Sequence, residues 1–144
     1  MFSQSIKDVM EQERLLTAPP ETTVSEAAKL MAKKMVGAIM VVDNQRLVGI
    51  FTERDAVFRV IARDLDSQTT RLIDAMTREP ITINPGNTFG YALLVMHENG
   101  FRHLPVMENG KLVGVVSARS ALDPDLEEFV AESQRREHIL RERI

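Results

Sequence analysis

Gly49-Ile50-Phe51-Thr52-Glu53-Arg54-Asp55 decides how the chain is read, because it joins the end of a buried strand to the start of a helix. Leu47, Val48, Ile50 and Phe51 form an almost continuous apolar run, the mark of a strand covered on both faces. Thr52 brings a hydroxyl to the N-cap position, and Asp55 stands three residues on, in the first turn. Unpaired backbone N–H groups and the positive end of the helix dipole meet at such a turn, which suits a phosphate or another anion. One capped turn specifies little. The chain, however, writes the stretch twice, the second time as Gly114-Val115-Val116-Ser117-Ala118-Arg119-Ser120.

The duplication extends outward from these turns. A shift of 65 residues lays Leu15–Asp55 over Pro80–Ser120 without a gap, and 11 of the 41 positions are identical. Chance would supply roughly two or three, so the chain is an internal repeat. A shift of one more residue pairs Ile6-Lys7-Asp8-Val9-Met10 with Leu72-Ile73-Asp74-Ala75-Met76, giving each repeat a matching lead-in.

Composition narrows the class. With 144 residues and 44% apolar content, the chain suits one compact unit or two very small ones. A net charge of −3 and a pI near 5.6 argue against nucleic acid as a partner. The absence of cysteine removes disulfide and thiolate chemistry and fits a reducing compartment. Met1–Met10 is too polar for a signal peptide, and no apolar run approaches 18 residues, so the expected location is cytoplasmic with no membrane span.

Each repeat reads as β-α-β-β-α. In the first, Ser5 caps a short helix to Met10, Leu15-Leu16-Thr17 is a brief strand, and Thr23-Val24-Ser25-Glu26 is a capping box. The helix that follows turns Val24, Ala27, Ala28, Met31 and Met35 to one face and closes at Gly37. Ala38–Val42 and Leu47–Phe51 pair as strands, and a helix from Thr52 to about Arg63 buries Ala56, Val57, Val60 and Ile61. In the second, Ile81 and Ile83 flank Thr82 in strand alternation, and Thr88 caps a helix with Phe89, Ala92, Leu93 and Met96 inward, closed by Asn99-Gly100. His103–Met107 pairs with Leu112–Val116 across an Asn109-Gly110 turn. Pro124, with Asp123 as cap, opens a terminal helix carrying Glu132/Arg136 and Glu137/Arg141 pairs at i,i+4 spacing.

Catalytic chemistry is hard to find. The three histidines, at 97, 103 and 138, do not form a metal cluster, and most of the eight methionines fall on apolar faces as core. No phosphate loop, nucleophile elbow or zinc-protease motif is present, and no carboxylate pair is spaced for acid–base work. The reading is therefore not an enzyme.

The joint pattern resembles a pair of cystathionine β-synthase-type (CBS) domains. It is carried by two repeats of about 60 residues, each ending in a Gly-h-h-Thr/Ser-x-x-Asp-like turn, with Asp8-Val9-Met10, Asp74-Ala75-Met76-Thr77 and Gly100-Phe101-Arg102-His103-Leu104-Pro105-Val106. The resemblance implies an α+β fold: two tandem repeats, residues 5–65 and 70–122, packed as an intramolecular pseudo-two-fold pair, with residues 123–144 as a C-terminal helix. It also implies a regulatory module that holds an adenosine-containing ligand (AMP, ADP, ATP, NAD or S-adenosylmethionine), requires no further cofactor and signals to a partner enzyme or transporter. The alternative is a ligand-free interaction or scaffolding module.

By the same resemblance, one cleft joins the turn of one repeat to a slot in the other. In the main cleft Asp55 would accept the ribose hydroxyls, with Thr52 and Arg54 toward the phosphate and Ile50 beside them. Thr77, Pro80, Ile81, Phe101 and Pro105 would frame the base, and Arg102 or His103 would reach the phosphates. The second cleft would use Ser117, Arg119 and Ser120 with Met10, Leu16, Gly37, Ala38 and Met40. It lacks the carboxylate, so its ligand binding would be weak and one ligand per chain is expected. A homodimer is expected from the surplus apolar residues Val57, Phe58, Val60, Ile61, Leu93, Leu94 and Val95, with Leu126, Phe129, Val130 and Leu140 of the terminal helix adding to it.

Overall fold

The computed structural model describes residues 1–142, with the side chains of the last helix described as far as Ile139. The first half forms α1 (Ile6–Val9), β1 (Thr17–Ala18), α2 (Val24–Lys34), β2 (Ala38–Asp43) and β3 (Arg46–Thr52). One α-helical turn, α3 (Glu53–Asp55), continues as a π-helix over Ala56–Ile61. The second half forms α4 (Leu72–Ala75), β4 (Thr77–Arg78), α5 (Phe89–Asn99), β5 (His103–Glu108), β6 (Lys111–Ser117) and α6 (Leu122–Glu142). The mixed α+β plan is the one the repeat implied.

Two equivalent antiparallel hairpins form the centre. β2 pairs with β3 from Ala38↔Thr52, and β5 with β6 from His103↔Ser117, the same register 65 residues on. Both turns place their two central residues at positive φ, Asn44 and Gln45 in one and Asn109 and Gly110 in the other. That is the turn whose twist matches paired strands. Ala38, Met40 and Ile50 of the first sheet meet Val115 of the second in a cluster that joins the two.

The lead-ins cross over. Ile6 and Val9 of α1 lie in the core of the second repeat with Phe89, Leu104 and Val116, and the Ile6 N–H donates to the Asn87 carbonyl at 2.8 Å. Leu72 and Ala75 of α4 lie in the core of the first with Ala27, Val41 and Phe51, and the Leu72 N–H donates to the Thr22 carbonyl at 2.8 Å. Each lead-in also lays a methionine on the other repeat's mid-strand glycine. A Cβ on Gly49 would stand 2.3 Å from Met76 Sδ, and one on Gly114 would stand 3.0 Å from Met10 Sδ. The stretch of chain before each repeat thus completes its neighbour.

Several expected details differ. The first strand is Thr17–Ala18 rather than Leu15–Thr17. No strand forms at Ile81–Ile83, because the equivalent of the Met40 N–H, which donates to the Leu16 carbonyl at 2.8 Å, would have to come from Pro105. Only Ile83 bridges to Val106, and it is buried while Ile81 is 46% exposed. α2 ends on Met35, left-handed at φ 56°, instead of on Gly37, and both Met35 and Ala28, expected on its inner face, are exposed. Thr23/Glu26 does form a full capping box, whereas Ser5 spends its hydroxyl on the Asp8 carboxylate at 3.0 Å.

In the π-helix Val60 alone is buried. Val57 and Ile61 face solvent, because among the described residues no other element covers that side. Finally, α6 begins at Leu122, so Asp123 and Pro124 are its second and third residues. The missing proline N–H is among the four that a helix start leaves unpaired anyway. Glu132 and Arg136 pair at 2.8 Å, whereas the expected Arg141 partner of Glu137 and the Leu140 contact lie outside the described side chains.

Candidate functional site

The two duplicated turns close in related but unequal ways. At the first, Thr52 Oγ1 accepts the Asp55 N–H at 3.2 Å while Asp55 Oδ2 accepts the Thr52 N–H at 3.0 Å, a reciprocal box. At the second, Ser120 Oγ accepts the Ser117 N–H at 2.8 Å, and Ser117 Oγ takes the Arg119 N–H at 3.2 Å. Ser120 therefore does locally what Asp55 does, but it is buried by the turn it closes.

Beside the first turn lies a cavity of about 430 Å³. Ile50, Thr52, Arg54 and Asp55 line it from the first repeat. Thr77, Pro80, Ile81, Phe101 and His103 line it from the second, so these nine expected residues come together. Phe58, Arg59 and Glu79 join them; none of the three is a cleft residue in the sequence reading, which places Phe58 at the dimer contact. Phe58 and Arg59 could have been found, since i+3 and i+4 from Asp55 share its helix face. Both cations here are occupied. Arg54 donates to the Gly100 carbonyl at 2.9 Å and sits over the Phe58 ring, 5.3 Å from its centroid. Arg59 donates to the Met76 carbonyl at 3.0 Å and pairs with Asp55 Oδ1 at 3.5 Å. Each Asp55 oxygen thus has one partner, and a carboxylate offers about four acceptor positions.

Two residues expected in this cavity lie elsewhere. Pro105 is fully buried, and Arg102 lines a second cavity of about 590 Å³. Arg102 alternates with Phe101 and His103, and its carbonyl is held by the Ala118 N–H at 3.0 Å, so it belongs with the second turn. In that second cavity Gly37, Ala38, Ser117 and Arg119 appear as expected. Met10, Leu16, Met40 and Ser120 do not line it. Met10 lies on Gly114, Leu16 is drawn into the first core by the Met40 N–H, and Met40 itself is buried.

The second cavity is the more charged one. Arg14, Arg102 and Arg119 face Glu11, Glu53 and Asp123 across it, and of these only Arg102 and Arg119 were weighed from sequence. Arg14 donates to the Met35 carbonyl and reaches Glu11 at 4.0 Å, and Arg119 pairs with Asp123 at 3.2 Å. The Arg102 guanidinium has no hydrogen-bond or ion-pair partner among the described residues. His103 borders both cavities. Burial pushes the pKa of its imidazole down, Glu53 pulls it back up and Arg102 lowers it further.

Among the described residues no group of three or more His, Asp or Glu could hold a metal ion, and no helix is long and apolar enough to cross a membrane.

Two sheets built from a duplicated hairpin, with a cavity at each strand-to-helix turn, define a tandem-repeat pair. The CBS domain family model matches twice, at residues 6–62 and 72–125, and the chain belongs to that family. It is 39% identical over 122 residues to an uncharacterized 17.7 kDa protein of Acidianus ambivalens, covering 81% of this chain and 73% of that one. A CBS domain-containing protein of Arabidopsis thaliana is 36% identical over 110 residues, 76% of this chain, but the chain spans only 20% of its length. An uncharacterized conserved protein of Pyrococcus horikoshii has a crystal structure that superposes with a TM-score of 0.80 at 33% identity, covering 87% of this chain and 94% of the other. The same fold, at 23% identity and a TM-score of 0.76 over 87% of this chain and 98% of the other, occurs in a CBS domain pair in complex with 5′-methylthioadenosine and S-adenosyl-L-methionine.

Proposed function

We propose that the chain is a regulatory sensor that binds an adenosyl ligand in the Asp55 cavity and passes its occupancy to a partner protein. One observation carries this reading. Asp55, fixed by Thr52 and Arg59, stands beside an apolar slot made by Pro80, Ile81 and Phe101 of the other repeat. A ribose diol needs a charged acceptor for two hydroxyls, and a purine needs a flat apolar slot. The slot is open because Pro105 cannot donate the bond that would draw Ile81 inward.

The charges grade the ligands. With Arg102 turned away and Arg54 and Arg59 already engaged, the cavity suits an adenosyl group with little negative charge. S-Adenosylmethionine and 5′-methylthioadenosine, the ligands of the fold neighbour, therefore stand ahead of AMP, and AMP ahead of ADP, ATP and NAD. A thermal-shift series over these compounds tests the order. A ligand at 100 times its Kd stabilises the fold by about 2.7 kcal/mol. Flat melting curves for every adenosyl compound would leave the ligand-free scaffolding role in its place.

The sensor also works as a homodimer in this reading. Val57, Phe58 and Ile61 are about half exposed or more, as is Leu94 on α5. Apolar clusters left open in this way mark contact surfaces.

A further inference from the structure

We infer that α6 pairs antiparallel with α6 of a second copy of the chain, about a two-fold axis that crosses both helices near Ser133. The pairing rests on the homodimer reading, which brings two copies together, and it employs the part of the chain outside the CBS match. That match ends at residue 125, whereas α6 runs on to Glu142. At 1.5 Å per residue its 21 residues span about 31 Å. Every residue from Pro124 to Ile139 is exposed, and none of them enters either core. A helix in water draws most of its stability from packing an apolar face, and among the described residues nothing covers this one.

The face to be covered continues the dimer surface. Leu122, Leu126, Phe129 and Val130 follow at i, i+4, i+7 and i+8, a single stripe. A shift of 65 residues lays Leu122 and Leu126 over Val57 and Ile61, the open residues of the π-helix. Charge then sets the direction. From Asp123 to Glu132 the helix has five carboxylates and no basic residue, and from Ser133 to Glu142 three arginines and two glutamates. A helix dipole rewards such a gradient only in its first and last turns, and here the sign holds for ten residues. Parallel copies would lay acidic half against acidic half. Antiparallel copies lay each acidic half along the other's arginines, the self-complementary contact that a two-fold axis produces. Near the crossing, Glu132 and Arg136 pair within one helix at 2.8 Å, beside the stripe. The same pair from the second copy runs the other way, so the four charges alternate in sign. Ser133, at i+11 from Leu122, puts a small side chain where the stripes meet.

Charge reversal and cross-linking of the full chain test the pairing. The dimer dissociation constant, from light scattering over a dilution series, should rise about ten-fold in Glu132→Arg and in Arg136→Glu, which set like charges across the axis. It should return to within about three-fold of wild type when both changes are combined. All these positions are exposed, and unchanged urea midpoints would show that the variants fold. The chain has no cysteine, so Ser133→Cys should give a disulfide-linked dimer on air oxidation. Asp125→Cys should not, because eight residues from the axis its copies stand about 24 Å apart, far beyond disulfide reach. A dimer that neither reversal weakens, or equal cross-linking through residues 125 and 133, would overturn the antiparallel pairing and leave the homodimer standing. A monomeric wild type would overturn the homodimer reading and this pairing with it.

Discussion

His103 sits where the two cavities meet, and its titration can be followed directly. Its folded pKa lies below the unfolded value of 6.5, chiefly through burial. Well above pH 6.5 both states are neutral there and no stability is lost. As pH falls below 6.5 the unfolded chain takes up the proton first, so stability declines until the folded pKa is passed. Glu53 opposes this and Arg102 adds to it, while the other cavity charges are paired or more distant. Urea midpoints should therefore fall further between pH 7.5 and pH 5 in the wild type than in His103→Gln. Equal falls would show that His103 is not the titrating group. At this scale the sequence was legible where the interaction is local. The Thr52/Asp55 box closes within four residues, so residue type and spacing suffice. Arg102 was misplaced because its direction depends on strand alternation and on Ala118 across the hairpin. Ile81 gains its exposure from a missing N–H at Pro105, 24 residues away by number, which no local pattern announces.

The crossed lead-ins decide what counts as a structural unit among the elements. A 66-residue shift revealed that α1 and α4 are alike but could not say which core each enters, because similarity carries no information about partners. The glycine–methionine contacts test the crossing. Gly49→Val places a branched side chain where Met76 Sδ, Cγ and Cε now lie within 2.9 Å of the Cβ position. Overpacking of this kind costs about 1–3 kcal/mol. Pairing it with Met76→Ala should recover part of that loss in a double-mutant cycle, measured by urea denaturation. Strict additivity would mean that α4 does not lie on β3. The π-helix was equally hidden, since its apolar spacing reads as an ordinary α-helix and only the i→i+5 bonds, such as Ala62 N–H to the Val57 carbonyl at 2.8 Å, reveal it.

For the whole molecule, duplication followed by divergence leaves two cavities of different chemistry. The Asp55 cavity has an apolar slot and engaged cations, and its counterpart sets three arginines, with the Arg102 guanidinium unpaired among the described residues, against three carboxylates. The fold was readable because the repeat is written openly in the sequence. The difference between the cavities was not, because it rests on contacts between the repeats. The open apolar face of the π-helix makes a further claim at this scale. Light scattering at micromolar concentration should give twice the chain mass, and Val57→Glu with Ile61→Glu should give a folded monomer. A monomeric wild type would contradict it.

The central claim is that one cavity per chain, built on Asp55, recognises the adenosyl group. Titration calorimetry with 5′-methylthioadenosine, which carries no phosphate for the arginines of the other cavity, tests it most directly. The account predicts one site per chain, and Asp55→Ala removes charge-assisted hydrogen bonds worth about 1.5–3 kcal/mol. Affinity should fall about ten- to a hundred-fold in that variant and remain close to wild type in Ser120→Ala. Two equivalent sites per chain, or loss of binding on changing Ser120 alone, would contradict it.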